Sequence, residues 1–186
     1  MFNFSKFIVG AHEVILSFPE ENHAEALFSA ITRDRETLSR FMSWTDTTLT
    51  VSDERQFIRY ARAQNAKYNL LVLTVLADGL PVGMVDLHDI NHGNHTAKIG
   101  YWLSTSVQGQ GIITNAVSHL VAIACDKLSL HKIILEADSE NNKSIAVANR
   151  LGFTFEAKLK DQIYYHGTYK DLNIYVQFNL STTANN

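Results

Sequence analysis

The chain reads as a mixed α/β fold, with a mostly antiparallel central sheet flanked by helices, in one domain over residues 1 to 180 followed by a flexible tail over 181 to 186. Three observations predict this. With 186 residues, 46% of them hydrophobic, the chain can bury one sizeable core, whereas two domains would leave each half small. Runs of strand character alternate irregularly with runs of helical period, which argues against a repetitive doubly wound sheet. Two turn dipeptides, Asp78-Gly79 and His166-Gly167, each separate a pair of strand-like runs and so announce hairpins.

In chain order, His12 to Phe18 predicts a first strand, and Pro19-Glu20-Glu21 then opens a helical stretch that runs, with a break, toward Phe41. The acidic residues at its start suit the positive end of a helix dipole. A second helix follows Ser52-Asp53-Glu54, with Phe57, Ile58, Tyr60 and Ala61 on or near its buried side. Asn69 to Ala77 and Leu80 to Ile90 are strands joined by Asp78-Gly79, and Lys98 to Ser104, centred on Ile99-Gly100-Tyr101-Trp102-Leu103, is a further strand. From Asn115 onward Ala116, Val117, Leu120, Val121, Ile123, Ala124 and Leu128 recur at helical spacing. Lys132 to Ala137 is a buried strand (Ile133, Ile134, Leu135) interrupted by Glu136, and a carboxylate inside an apolar strand needs a partner or a purpose. Asp138-Ser139-Glu140-Asn141-Asn142 supplies capping residues for a short helix through Ile145, Val147, Ala148 and Leu151 that stops at Gly152. A last hairpin, Ala157 to Tyr165 and Tyr169 to Leu180, shows Leu172, Ile174, Val176 and Phe178 alternating with polar neighbours.

The formal charge of −3 and the scattered Lys and Arg residues give no basic field for nucleic acid. A single cysteine, Cys125, rules out an internal disulfide and suits a reducing compartment. No run approaches the ~18 apolar residues of a membrane span, and Met1 to Lys6 has no secretory pattern, so a cytoplasmic protein without a membrane partner is expected. His88, His92 and His95 lie near Asp86 and Asp89, but their spacing matches no common zinc pattern and a polar loop after a strand explains them, so no metal is expected. Asp86 or His88 could instead help relay a substrate proton. A homodimer is left open.

The chemistry lies between Ile99 and Phe153. In Gln108-Gly109-Gln110-Gly111 the glycines sit where a strand hands over to a helix N-terminus, where unpaired amides and the helix dipole favour an anion and small residues admit a phosphate close to the backbone. A Gly-x-Gly turn is by itself a weak signal. Read as Gly109-x-Gly111-x-x-Thr114, it could be a dinucleotide fingerprint lacking its third glycine; a polar loop between strand and glycines, and an unexplained Asn141 to Phe153, count against that oxidoreductase reading.

Taken together, Gln108-Gly109-Gln110-Gly111, Leu135-Glu136, Asn141-x-x-Ser144 and Arg150-Leu151-Gly152-Phe153 resemble the GNAT superfamily of acetyl-CoA-dependent N-acetyltransferases, most of all its ribosomal-protein N-terminal serine and alanine branch. The resemblance implies the GNAT fold, in which the strands here at Lys98 to Ser104 and Lys132 to Ala137 splay around the thioester arm. It implies that Gln108, Gly109, Gln110, Gly111, Ile112 and Ile113 cradle the diphosphate of acetyl-CoA, with Ile113 where the family has a small residue. Asn141 would hold the pantetheine amides, cap its helix, or do both.

An amine, pKa ~8 for an α-amino group, must lose a proton before it attacks a thioester. The resemblance makes Glu136 the candidate base, acting directly or through one water, while the competing reading puts it on the solvated side of its strand or pairs it with a lysine such as Lys132 or Lys98. Main-chain N–H groups near Leu103 would stabilise charge on the thioester oxygen. The tyrosine acid of many relatives is absent, since the place seven residues after Asn141 is Ala148. Ser144 takes its role in this reading by hydrogen bonding the leaving thiolate, and its alternative role is helix capping. Ile163 stands where the serine-specific branch carries a glutamate. The loop around Trp44 and the final hairpin flank the amine entrance in the resembling fold. The implied function is acetyl transfer to a primary amine: a protein N-terminal α-amine first, a small amine such as a polyamine, amino acid or antibiotic second, and a non-catalytic acyl-CoA sensor third.

Overall fold

A computed structural model describes residues 3–179. The expected tail over 181 to 186, and Leu180 at the end of the expected last strand, lie outside the described residues. Among these there are eight strands, β1 (Asn3–Val9), β2 (His12–Ser17), β3 (Leu71–Ala77), β4 (Leu80–Asn91), β5 (Thr96–Leu103), β6 (Lys132–Asp138), β7 (Thr154–Tyr165) and β8 (Thr168–Phe178). Four α-helices accompany them: α1 (Ala24–Leu38), α2 (Val51–Asn65), α3 (Ile112–Leu128) and α4 (Asn142–Arg150). The strands follow the order β1-β2-β3-β4-β5-β6-β8-β7. Pairing is antiparallel at β1–β2, β2–β3, β6–β8 and β7–β8, and parallel at β5–β6, where α3 makes the crossover. The mixed, mostly antiparallel sheet is thus the one expected.

The chain divides into two compact units, one comprising the residues up to Asp86 with Tyr101–His119, the other Leu87–Gly100 with the residues from Leu120 on. In the first, β1 is a strand the sequence did not announce: it turns at Gly10, φ +59°, and pairs Lys6 with Ile15 and Phe7 with Val14. Its residues are all exposed or half-buried, so it lacks the apolar alternation that marks a strand with one face in a core. The start of α2 is a capping box, with Thr50 Oγ1 accepting from the Asp53 amide at 3.2 Å and Asp53 Oδ2 accepting from the Thr50 amide at 2.8 Å. The core of this unit packs Leu27 and Ile31 of α1 and Ile58 and Ala61 of α2 with Val72, Met84 and Trp102 from the strands. Phe57 and Tyr60, expected near the buried side of α2, are 40% and 57% exposed. At Gly83 of β4 a Cβ would stand 2.3 Å from the Trp102 carbonyl oxygen and 2.9 Å from Leu103 Cα, so only glycine lets β5 pass this close.

In the second unit the parallel ladder joins Thr96–Ile99 to Lys132–Leu135, and β6 is paired on its other side with β8 from Lys132 to Asp138. The last hairpin turns at His166-Gly167, φ +50° and +76°. Its expected alternation does not hold. Ile174, Tyr175 and Val176 are consecutively buried because β8 is an inner strand whose Tyr175 packs edge-on against Phe155 of β7, while Phe178 at the strand end is 45% exposed.

Candidate active site

The turn at 108–111 is built from the end of β5. After Leu103 the chain makes a single 3-10 turn over Thr105–Val107, which Asp34 of α1 holds from beneath. The buried Asp34 carboxylate accepts from Ser104 Oγ at 3.0 Å, the Thr105 amide at 2.8 Å and Thr105 Oγ1 at 2.5 Å, and Arg33 reaches both Asp34 and Ser104. Burial disfavours its charge, yet the Thr105 hydroxyl and amide, the Arg33 guanidinium and the Ser104 hydroxyl outweigh this and hold the carboxyl below the ordinary carboxylate value. Gln108 Nε2 donates to the Leu103 carbonyl at 2.8 Å, tying the turn back to the strand.

Gly109 and Gly111 have φ of +76° and +84°, left-handed conformations that a side chain would strain. Helix α3 then begins at Ile112, three residues before the apolar period becomes legible. The Asn115 amide and its Nδ2 both donate to the Gly111 carbonyl, at 3.1 and 3.0 Å, and Ile112 is 1% exposed. Ile113 therefore does not delay the helix. The first amides of α3 have no carbonyl behind them in the helix and open on the glycine turn, which suits a phosphate. His12 stands beside it, with Nδ1 2.6 Å from Asp78 Oδ2 and Nε2 2.6 Å from Gln110 Oε1. The Asp78 bond, then the Gln110 bond, raise its pKa above the ordinary histidine value.

The same unit contains a cavity of about 710 Å³. Its walls include Trp44 and Trp102, with ring centroids 5.9 Å apart, together with Phe57, Tyr60, Val72 and Met84. The loop carrying Trp44 is held by Arg35, which donates to the Thr45 carbonyl and, at 2.8 Å, to the Thr48 carbonyl. The charged lining is wholly acidic: Asp53, Glu54 and Asp86. Asp53 serves the helix cap, whereas Glu54 is 3% exposed and its Oε1 has no hydrogen-bond partner. Burial pushes the Glu54 carboxyl up to about 7. Sequence reasoning missed this residue except as a helix-start acid. A signal was present, because Glu54 falls on the helical stripe of Val51, Ile58 and Ala61, where a carboxylate has no packing reason to be.

In the second unit, Ile133, Leu135 and Ala137 share the buried face of β6, so strict alternation puts Glu136 on the other face. Its side chain is 31% exposed, and Oε1 lies 3.0 Å from Lys98 Nζ, which also meets Asp89 at 3.3 Å. The apolar surround expected for Glu136 is replaced by this ion pair. The carboxylate, then opposed by partial burial, keeps Lys98 charged by raising its pKa. Asn141 Oδ1 accepts from the Ser144 amide at 3.1 Å, so Asn141 caps α4 and Ser144 is the residue whose amide is capped. Ala148, at the place of the tyrosine in many relatives, is fully buried. His88 is half-buried, and no three potential metal ligands converge among the described residues.

The family described as acetyltransferase (GNAT) domain matches residues 13–154. The proposed ribosomal N-acetyltransferase YdaF of Bacillus subtilis (strain 168) is 33% identical over 157 residues, covering 84% of this chain and 86% of its own. The ribosomal-protein-serine acetyltransferase of Escherichia coli (strain K12) is 27% identical, covering 84% and 88%. Among solved structures, the microcin C7 self-immunity acetyltransferase MccE, in complex with acetyl-CoA and AMP, superposes with a TM-score of 0.86 at 30% identity over 91% of this chain and 94% of that one.

Proposed function

The chain belongs to the GNAT acetyltransferase family, and from that premise we propose that it moves the acetyl group of acetyl-CoA to a primary amine, the N-terminal α-amine of a protein, by direct attack with both substrates bound. The observation that carries this reading is the likeness to ribosomal N-acetyltransferases along 84% of the chain, in two relatives. Acetyl-CoA supplies the activated acyl group and a thiol leaving group of pKa ~8.5. The residues present fit it: the 108–113 turn offers a positive-φ backbone and the first amides of α3 to a diphosphate.

In this reading Gln108, Gly109, Gln110, Gly111, Ile112 and Ile113 bind the diphosphate, main-chain N–H groups near Leu103 stabilise the developing charge on the acyl oxygen, and Asn141 adds to pantetheine binding while it caps α4. Ser144 hydrogen-bonds the departing thiolate. Glu136 takes the ammonium proton, with Lys98 as its counter-ion before that event.

An acetylation screen with acetyl-CoA tests the proposal, using peptides bearing N-terminal Ser and Ala beside polyamines, amino acids and antibiotic amines. The expected product is an N-terminally acetylated peptide. Acetylation of small amines alone would move the substrate class, and acetyl-CoA binding without any product would make the protein a sensor.

A further inference from the structure

We propose that the cavity lined by α2, β3, β4 and the end of β5 receives a cationic amine, its charged nitrogen paired with the Glu54 carboxylate and the adjoining carbons enclosed by Trp44 and Trp102. This rests on the acetyltransferase reading for what is done with the amine, but not for the binding itself.

Three observations lead to a cation. Glu54 is 3% exposed, lines the cavity, and has an oxygen without a hydrogen-bond partner. A buried carboxylate left in that condition is costly, and a bound cation removes the cost. The contrast with Asn65 on the same helix is direct: Asn65 is also buried, but both ends of its amide are satisfied by the Val72 backbone, at 3.0 and 2.9 Å. Secondly, none of the lining residues is Lys or Arg, and the acidic set Asp53, Glu54 and Asp86 would repel a phosphate or carboxylate. Thirdly, Trp44 and Trp102 both line the cavity, their rings tilted against each other with centroids 5.9 Å apart, and an aromatic wall attracts an ammonium and packs its carbon stem.

A neutral occupant would fill the space without answering Glu54, and an anion would meet like charge. Burial of Glu54 is also what lifts its carboxyl to about 7, so a cation arriving at neutral pH finds a group that is readily ionised by its presence. The placement fits an acceptor site, because Trp102 in the wall is followed by Leu103, whose carbonyl is tied to the 108–113 turn.

Trp44 and Trp102 are the chain's two tryptophans, so intrinsic fluorescence reports occupancy without acetyl-CoA or turnover. The probes are a peptide with a free N-terminal serine, the same peptide N-acetylated, and spermidine, each titrated into the full chain and into Glu54→Gln. The expected result is a saturable emission change with the free-amine peptide, with affinity at least tenfold lower for the acetylated peptide and at least tenfold lower in Glu54→Gln, while acetyl-CoA affinity stays within twofold. In turnover the same variant raises KM for the amine and leaves KM for acetyl-CoA in place. Should Glu54→Gln fail to fold, Glu54→Asp, which withdraws the charge by one methylene, is expected to weaken the peptide by a smaller factor. Equal binding of the acetylated peptide, or an unchanged affinity in both Glu54 variants, overturns the proposal, as does the absence of any response to an amine. A Glu54-dependent response to spermidine alone supports the cation site while removing the protein N-terminus as substrate.

Discussion

Position 54 carries a carboxyl whose folded-state value, about 7, lies above the ordinary 4.5, so the folded chain prefers it protonated. The sign of the linkage follows: its stabilising contribution is full below pH 4.5 and is lost as pH rises through about 7, by at most roughly 3 kcal/mol. Glu54→Gln has no such loss. Unfolding in urea should therefore find variant and parent of similar stability at pH 4 and the variant more stable at pH 8; equal differences at both pH values would remove the buried-charge account. His23, whose pKa burial lowers, loses stability as pH falls below its ordinary 6.5 in both chains and so cancels from the comparison. Ser144 and Glu136 allow a second separation. Since Asn141 is the cap, Ser144→Ala should keep the melting temperature and slow turnover, while Asn141→Ala should cost about 1 kcal/mol of stability. Glu136→Gln should cut turnover sharply with acetyl-CoA affinity retained; a near-normal rate would leave its pair with Lys98 as its whole role. Glu136 drew attention in the sequence because its neighbours are apolar, but a strand of period two separates neighbours onto opposite faces, whereas Glu54 sat unnoticed on a helical stripe that only a 3.6-residue count reveals.

Among the elements, β4 and β5 depend on each other through Gly83. The obstacle to a side chain there is space, and the atoms in the way are main-chain atoms of Trp102 and Leu103 that cannot rotate aside. Gly83→Ala must push the two strands apart at the place that carries one cavity wall and the carbonyl to which Gln108 is tied. We expect a stability loss of about 1–3 kcal/mol, as for overpacking, together with weaker acetyl-CoA binding by calorimetry; full affinity in the folded variant would show that the turn does not need this crossing. No sequence pattern marks such a glycine, because its function depends on which strand becomes its neighbour. The hairpins were legible for the opposite reason. Asp78-Gly79 and His166-Gly167 carry their own requirement for positive φ, which the structure meets at +51° and +81° and at +50° and +76°. The start of α3 lay between these cases: the glycine turn was visible, but the helix begins at Ile112, inside residues read as loop, because its first turn closes on the Gly111 carbonyl.

For the molecule as a whole, the order of elements pointed to a mixed sheet, since hairpins force antiparallel neighbours and a long connection such as α3 permits a parallel pair like β5–β6. It does not dictate one: β2 and β3, joined through α1 and α2, pair antiparallel. Net charge was a poor guide to the ligand. A chain of formal charge −3 repels anions on average, yet the proposed diphosphate site rests on a local feature, positive-φ glycines that lead into the N-terminus of α3. Binding at this turn should therefore stabilise the folded chain by mass action, about 2.7 kcal/mol at a hundredfold excess over Kd, which for a chain of 186 residues raises the melting temperature by roughly 5–10 °C. NAD also brings a diphosphate, but the dinucleotide fingerprint requires a third glycine that Thr114 replaces, so NAD at the same concentration should leave the melting temperature in place. Gly111→Ala, which forces a side chain into φ +84° beside Val9 and Asn115, should lose most of the acetyl-CoA shift. An equal response to NAD, or an undiminished shift in Gly111→Ala, would put the diphosphate somewhere other than this turn.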